Sequence, residues 1–337
     1  MSAFSANTFN SHDYSLYRPS YSTEFFQYIF QYLGLNEWKS ESINILDVGS
    51  GPGTCILKII PILKEVINNK ETPLKKVKIF VSDLSNTMLN EAKINIDKVI
   101  RDSLESFEIE YIQSGGETID LKINEQIDLI IAAECVHWLN SEKWLDCMHK
   151  LLKKDGVLAY WGYVDPVFTK IEGSDDKNRL KIANDEYNSF VYEEKGKLGE
   201  YWQQPGRSKL RALYKEVNEI ALNNEGDKWY ETIMCRRDPL IGEIETIFNN
   251  DGNSDGDNGK VSRFEFKDDV LKMEMRLTFE QLLNYMDTWS SSFKWNSSHE
   301  EKVSLLFGKK LEEKVGLKKS DDIVIEMKTV YLFTKKV

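Results

Sequence analysis

Apolar positions along the first half of the chain switch repeatedly between helical spacing and short strand-like runs. Residues 25–33 place their apolar side chains on one helical face, residues 43–48 form a brief apolar strand, and residues 55–67 return to helical spacing. Pro61 interrupts that last segment and is expected to kink or restart it, because proline lacks an N–H and its ring crowds the preceding turn. Further strands are predicted over 77–82, 107–112, 127–133 and 156–163, with a helix over 88–99. Strands separated by helical stretches imply a parallel sheet with right-handed crossovers, and ligands then bind beyond the strand carboxyl ends.

The pattern changes after the fifth strand. Residues from about 165 to 238 are polar, aromatic and helical in character, which predicts a cap packed over the sheet edge, and no internal repeat is visible. Strand-like alternation resumes over 260–277, helices follow over 279–289 and 300–315, and 323–333 is a closing strand expected to join the sheet. The expected organisation is an N-terminal segment (1–40), an α/β core (41–164), a cap insertion (165–260) ending in an acidic flexible loop (249–260), and a C-terminal return to the core (261–337).

The most informative break in the pattern is ILDVGSGPGT, residues 45–54. A strand ends in Asp47 and runs straight into Gly49, Gly51 and Gly53. Glycines here permit a sharp exit and a close backbone approach to a ligand. A dinucleotide turn would read G-x-G-x-x-G and seat a pyrophosphate on a helix start, but Thr54 stands where its third glycine belongs. The acid before the first glycine would repel a pyrophosphate. It suits a cofactor that carries an ammonium and a sulfonium and no phosphate, which describes S-adenosylmethionine. The second strand, VKIFVSDLS, also ends in an acid, Asp83, placed to accept both ribose hydroxyls. It lies 83 − 47 = 36 residues after Asp47, and the polar stretch NNKETPLKK at 68–76 accounts for the long interval as an extended loop.

Composition narrows the partners. The chain has 337 residues, 41% of them hydrophobic, enough for a core, and a formal charge of -11, which argues against a general nucleic-acid or acidic-membrane binder. The N-terminus lacks a basic start and an apolar run, no stretch approaches a membrane span, and a cytoplasmic protein is expected. Cys55, Cys135, Cys147 and Cys235 lie far apart and read as reduced core thiols. The run NNDGNSDGDNGK at 249–260 opens like a calcium-binding loop from Asp251, but Ser262 stands where the bidentate glutamate belongs, so no metal is expected.

Together, DVGSGPGT, SDLS and the fourth-strand ending AAECVHW resemble the class I S-adenosylmethionine-dependent methyltransferases. WGYVDPVF, GEYWQQPGRSKLR, YRPSY at 17–21 and TWSS at 288–291 are similar to the fungal trans-aconitate methyltransferases, a group whose members also act on other small acids and on anhydride-type toxins. The resemblance implies an α/β, Rossmann-like fold with a mostly parallel seven-stranded sheet, helices on both faces and a helical cap insertion. It implies that Asp47, Gly49, Ser50 and Gly51 face the methionine part of the cofactor, Asp83 the ribose, and Leu84 the adenine, with Glu117 near the adenine amino group. Ala133 and Glu134 fall beneath the reactive methyl, His137 and Trp138 are candidates for positioning, and Tyr17 and Arg18 lie in a segment that covers the cofactor.

The implied reaction, methyl ester formation on a small carboxylate, requires no general base, because the acid is already ionised at neutral pH. An anionic substrate meeting a chain of net charge -11 needs local cations. Arg207 and Arg211, one helical turn apart, are the first candidates, with Trp161, Tyr163, Tyr201, Trp202 and Gln203 as pocket walls. Other readings stay open: methylation of another small molecule or toxin-like acid, a nicotinamide oxidoreductase, or a non-catalytic binding protein on the same scaffold. The sequence leaves the oligomeric state undecided, with a monomer slightly favoured.

Overall fold

A computed structural model describes residues 18–224, 226–248 and 265–337. Tyr17 and the acidic run at 249–260, with the residue expected to close a calcium loop, lie outside the described residues.

The first half follows the predicted alternation. Helix α1 (Thr23–Leu33) precedes β1 (Ser42–Val48), α2 (Thr54–Asn68), β2 (Lys76–Asp83), α3 (Asn86–Ile100), β3 (Phe107–Gln113), β4 (Ile127–Ala133), α4 (Ser141–Leu151) and β5 (Leu152–Ile171). Strands β1 to β5 pair in parallel in the order β3-β2-β1-β4-β5. Successive residues of each strand enter different cores: Ile45, Ile79 and Ile131 join one apolar cluster, Leu46, Phe80 and Ile130 the other. Burial on both faces is what a parallel sheet covered by crossover helices requires.

Pro61 neither ends nor restarts α2, which runs through it. Pro61 itself is exposed, while Ile56, Ile59, Ile60 and Leu63 are buried, so packing of that face holds the helix across one missing hydrogen bond.

Two boundaries differ from expectation. β5 does not stop near residue 163 but continues to Ile171, because β9 (Asp322–Lys336) pairs antiparallel along its length. The cap is consequently shorter: its helices are α5 (Lys177–Asn188), α6 (Gly206–Arg211) and α7 (Lys215–Asn223), and the sheet resumes with β6 (Trp229–Asp238) and β7 (Glu243–Phe248). In the described part of 260–277 only β8 (Glu274–Thr278) begins a strand, and it pairs with β9. Helices α8 (Phe279–Asp287), α9 (Ser290–Asn296) and α10 (Val303–Val315) separate β8 from β9.

Among the described residues the sheet has nine strands, not seven. β6 and β8 run with β5, since each is antiparallel to β9, so only β7 and β9 oppose the common direction. No helix among the described residues is long and apolar enough to cross a membrane.

Candidate functional site

The glycine turn sits at the carboxyl end of β1, as its sequence predicts. Gly49 and Gly51 adopt φ of 66° and 54°. A Cβ on Gly49 would stand 2.6 Å from that of Cys135, so the chain passes tightly beneath the tip of β4, whereas a Cβ on Gly51 would meet nothing within 4 Å. One glycine serves close packing and the other opens a cradle. The turn is stitched to β2: Ser50 N–H donates to the Ser82 carbonyl at 2.9 Å, and Ser82 Oγ to the Asp47 carbonyl at 3.0 Å.

The two acids differ in character. Asp83 accepts from Gly51 N–H at 3.0 Å and Ser85 N–H at 2.7 Å, one on each oxygen. Burial raises its pKa, and these backbone donors partly offset the rise. Asp47 is fully buried, and neither carboxylate oxygen has a hydrogen-bond partner in the protein. Burial, followed by repulsion from Asp83, pushes its pKa well up. A buried acid without a partner is costly, and an ammonium is the ligand group that would satisfy it. Ser50 Oγ beside it is also buried without a partner. Leu84, just past Asp83, is 73% exposed, an apolar side chain open to cover a flat ring. Asp47, Ser50, the open face of Gly51, Asp83 and Leu84 therefore fit an aminoacyl nucleoside cofactor. Glu117 is turned elsewhere with one oxygen, accepting from Asn140 N–H at 3.0 Å at the start of α4.

Beyond the turn a cleft opens at the tips of β4 and β5. Its non-protein space, open mouth included, is about 660 Å³, and Arg18, Glu134, His137, Trp138, Tyr163 and Gln203 are among its walls. Ala133 ends β4, and Glu134 follows with a left-handed φ of 55°, which aims its carboxylate at the Tyr163 N–H. Burial lifts its pKa to about 7 against the opposing pull of that N–H, Arg18 and Arg207. Burial, reinforced by Arg207 and Arg18, lowers His137 to about 3, so this ring is neutral; its Nδ1 lies 3.4 Å from Tyr214 Oη. Arg18 Nη2 donates to the Thr288 carbonyl at 3.4 Å, and its guanidinium lies over the Tyr285 ring.

Arg207 projects from α6 into this cleft, its guanidinium carbon 3.9 Å from the Trp202 ring centre. Arg211 does not line the cleft. It reaches the same carboxylate as Arg207, that of Asp165, at 3.3 Å. Tyr163, Trp202 and Gln203 line this cleft, but Trp161 is fully buried among Tyr21, Phe25 and Phe26, and Tyr201 packs near His299. Position along β5 explains the first: Trp161 and Tyr163 share one face, but Trp161 is level with Ala133 at the end of β4 and packs in the core beneath α1, whereas Tyr163 lies beyond that end and reaches the cleft.

Asp165, Tyr192, Tyr285 and Trp289 were not legible as site residues. Asp165 offered a signal, a charged residue inside an otherwise apolar strand run. Among the described residues no cluster of three His, Cys, Asp or Glu side chains is arranged to hold a metal, and all four cysteines are free. Cys135 Sγ donates to the Val48 carbonyl at 3.1 Å, and burial raises its pKa, so it lies in the floor between the turn and the cleft as a thiol.

Comparison with known proteins agrees with this geometry. Residues 46–158 match a family described as "Methyltransferase domain". The chain is 25% identical over 299 residues to a Saccharomyces cerevisiae protein, "Probable S-adenosylmethionine-dependent methyltransferase CRG1", covering 88% of this chain and 84% of that one. The solved structure of a provisionally assigned type II methyltransferase from Anaeromyxobacter dehalogenans superposes with a TM-score of 0.53, covering 95% of this chain and 97% of its own. At 14% identity that likeness is one of fold.

Proposed function

Because the chain is an S-adenosylmethionine-dependent methyltransferase, we propose that it methylates a carboxylate oxygen of a small organic acid, with trans-aconitate or a related polycarboxylate as the first candidate. When bound, S-adenosylmethionine supplies an electrophilic methyl group. In this reading Asp47 and Ser50 hold its ammonium end, Asp83 its ribose and Leu84 its adenine, while Gly49 and Gly51 shape the turn around it.

The observation that carries the acceptor class is Arg207, a partly buried guanidinium stacked on Trp202 that lines the cleft together with Arg18. A guanidinium fork in a site walled by aromatics recognises carboxylates, and desolvation strengthens the pairing. Tyr163, Trp138, Trp202 and Gln203 enclose the acceptor, and the neutral His137 helps to place it. Catalysis then rests on alignment and exclusion of water, since an ionised acceptor needs no proton removed.

A second reading, transfer to the hydroxyl of another small molecule, is favoured by Glu134, whose pKa of about 7 suits a general base. The two separate on a panel pairing each small acid with its neutral amide, assayed with labelled S-adenosylmethionine. Turnover confined to the acids supports the carboxylate reading. Equal turnover of acid and amide through a hydroxyl common to both would replace it with the second.

A further inference from the structure

The carboxylate of Asp165 gathers more partners than any role assigned above uses. It accepts from Tyr187 Oη at 3.1 Å, from Tyr192 Oη, from Arg207 Nη2 at 2.8 Å and from Arg211 Nε at 3.3 Å. Arg207 Nη2 donates in addition to Tyr192 Oη. The Arg207 guanidinium is sandwiched between this network and the Trp202 ring, and the Arg211 guanidinium carbon lies 3.4 Å from the Tyr192 ring centre.

Backbone geometry puts the carboxylate there. Asp165 has a φ of 45° and sits unpaired in β5, where the register to β9 slips between Val164 and Pro166. A one-residue bulge of this kind re-aims a side chain, and a left-handed conformation costs a non-glycine residue free energy that a plain structural strand would not retain. Asp165 is itself only 7% exposed.

We infer that Asp165 is the positioning residue of the acceptor cleft: its carboxylate, turned out of β5 by the bulge, fixes Arg207 in the orientation that receives the acceptor's carboxylate, with Arg211 bracing it from outside. The inference rests on the reading of Arg207 as the acceptor-binding cation. Asp165 acts through Arg207 and touches no reacting atom. Its removal therefore weakens acceptor binding while leaving the cofactor half of the site intact.

The test is Asp165→Asn, which keeps shape and removes charge, read two ways. With trans-aconitate, KM rises by about tenfold to a hundredfold while kcat changes by less than about threefold and S-adenosylmethionine affinity is unchanged. In an Arg207→Ala background the same substitution has no further effect on KM, because the path it acts through is gone. Independently of turnover, phenylglyoxal labelling with peptide mapping finds Arg207 more reactive in Asp165→Asn than in the wild type. Unchanged Arg207 reactivity, or a KM effect that adds fully to that of Arg207→Ala, overturns the inference. If the wild type methylates no acid, the proposed function fails while the labelling still decides the role of Asp165. Should Asp165→Asn not fold, Tyr192→Phe and Arg211→Gln each raise Arg207 reactivity by a few-fold; no change in both overturns it.

Discussion

At the scale of single residues, the account turns on acids in unequal surroundings. Asp47 has no protein partner for either oxygen, so the free protein carries the cost of burying it. Asp47→Asn is therefore expected to raise the thermal stability of the cofactor-free protein by about 1–2 kcal/mol while weakening S-adenosylmethionine binding about tenfold or more, both measurable by thermal unfolding with and without cofactor. Asp83→Ala should weaken the cofactor broadly without such stabilisation, since two backbone donors lose their acceptor. Arg207→Ala should raise acceptor KM more than it disturbs cofactor affinity, and equal cofactor loss in the Asp83 and Arg207 variants would contradict that division.

Glu134 gives the pH dependence. Its folded pKa is raised from 4.5 to about 7, so its contribution to stability is fully present below 4.5 and is lost as pH rises through 7. Ionisation also places a negative charge beside an incoming anion. For an acid acceptor, kcat/KM should fall as pH rises through about 7, and Glu134→Gln should flatten the profile. A rate that instead rises through the same pH would favour Glu134 as a base acting on a hydroxyl. His137, held neutral down to about 3, contributes no titration in that window.

At the scale of elements, the strand-to-turn junctions were the most legible parts of the chain. The spacing of Asp47, Gly49 and Gly51 demanded a tight exit, and the structure supplies one because Cys135 leaves no room for a side chain at Gly49. Gly49→Ala is expected to destabilise the fold by about 2 kcal/mol or more and to abolish cofactor binding, as thermal unfolding and calorimetry would show. Helix α2 does not restart at Pro61, because its buried face holds the helix together where local propensity alone would break it. Its exposed position predicts that Pro61→Ala stabilises by about 1–3 kcal/mol in denaturant unfolding.

At the scale of the whole molecule, the core and the presence of a helical cap were legible, and the limits of the cap were not. Alternating strand and helix runs betray a parallel sheet, but the extent of β5 is set by a strand more than 150 residues later in the chain, which no local pattern carries. The same holds for the cleft: Arg207 and Trp202 could be read from one short motif, whereas Asp165, Tyr285 and Trp289 reach it only through the bulge in β5 and the docking of α8. Since β9 pairs with β5, β6 and β8, truncation after residue 321 should leave no cooperatively folded chain, observable as loss of a thermal transition. The most direct test of the whole reading is to incubate the protein with methyl-labelled S-adenosylmethionine and trans-aconitate, then treat the product with mild alkali. Release of the label as methanol, in step with adenosylhomocysteine formation, is the predicted result. Cofactor binding with no base-labile methyl transferred to trans-aconitate or related acids would contradict it.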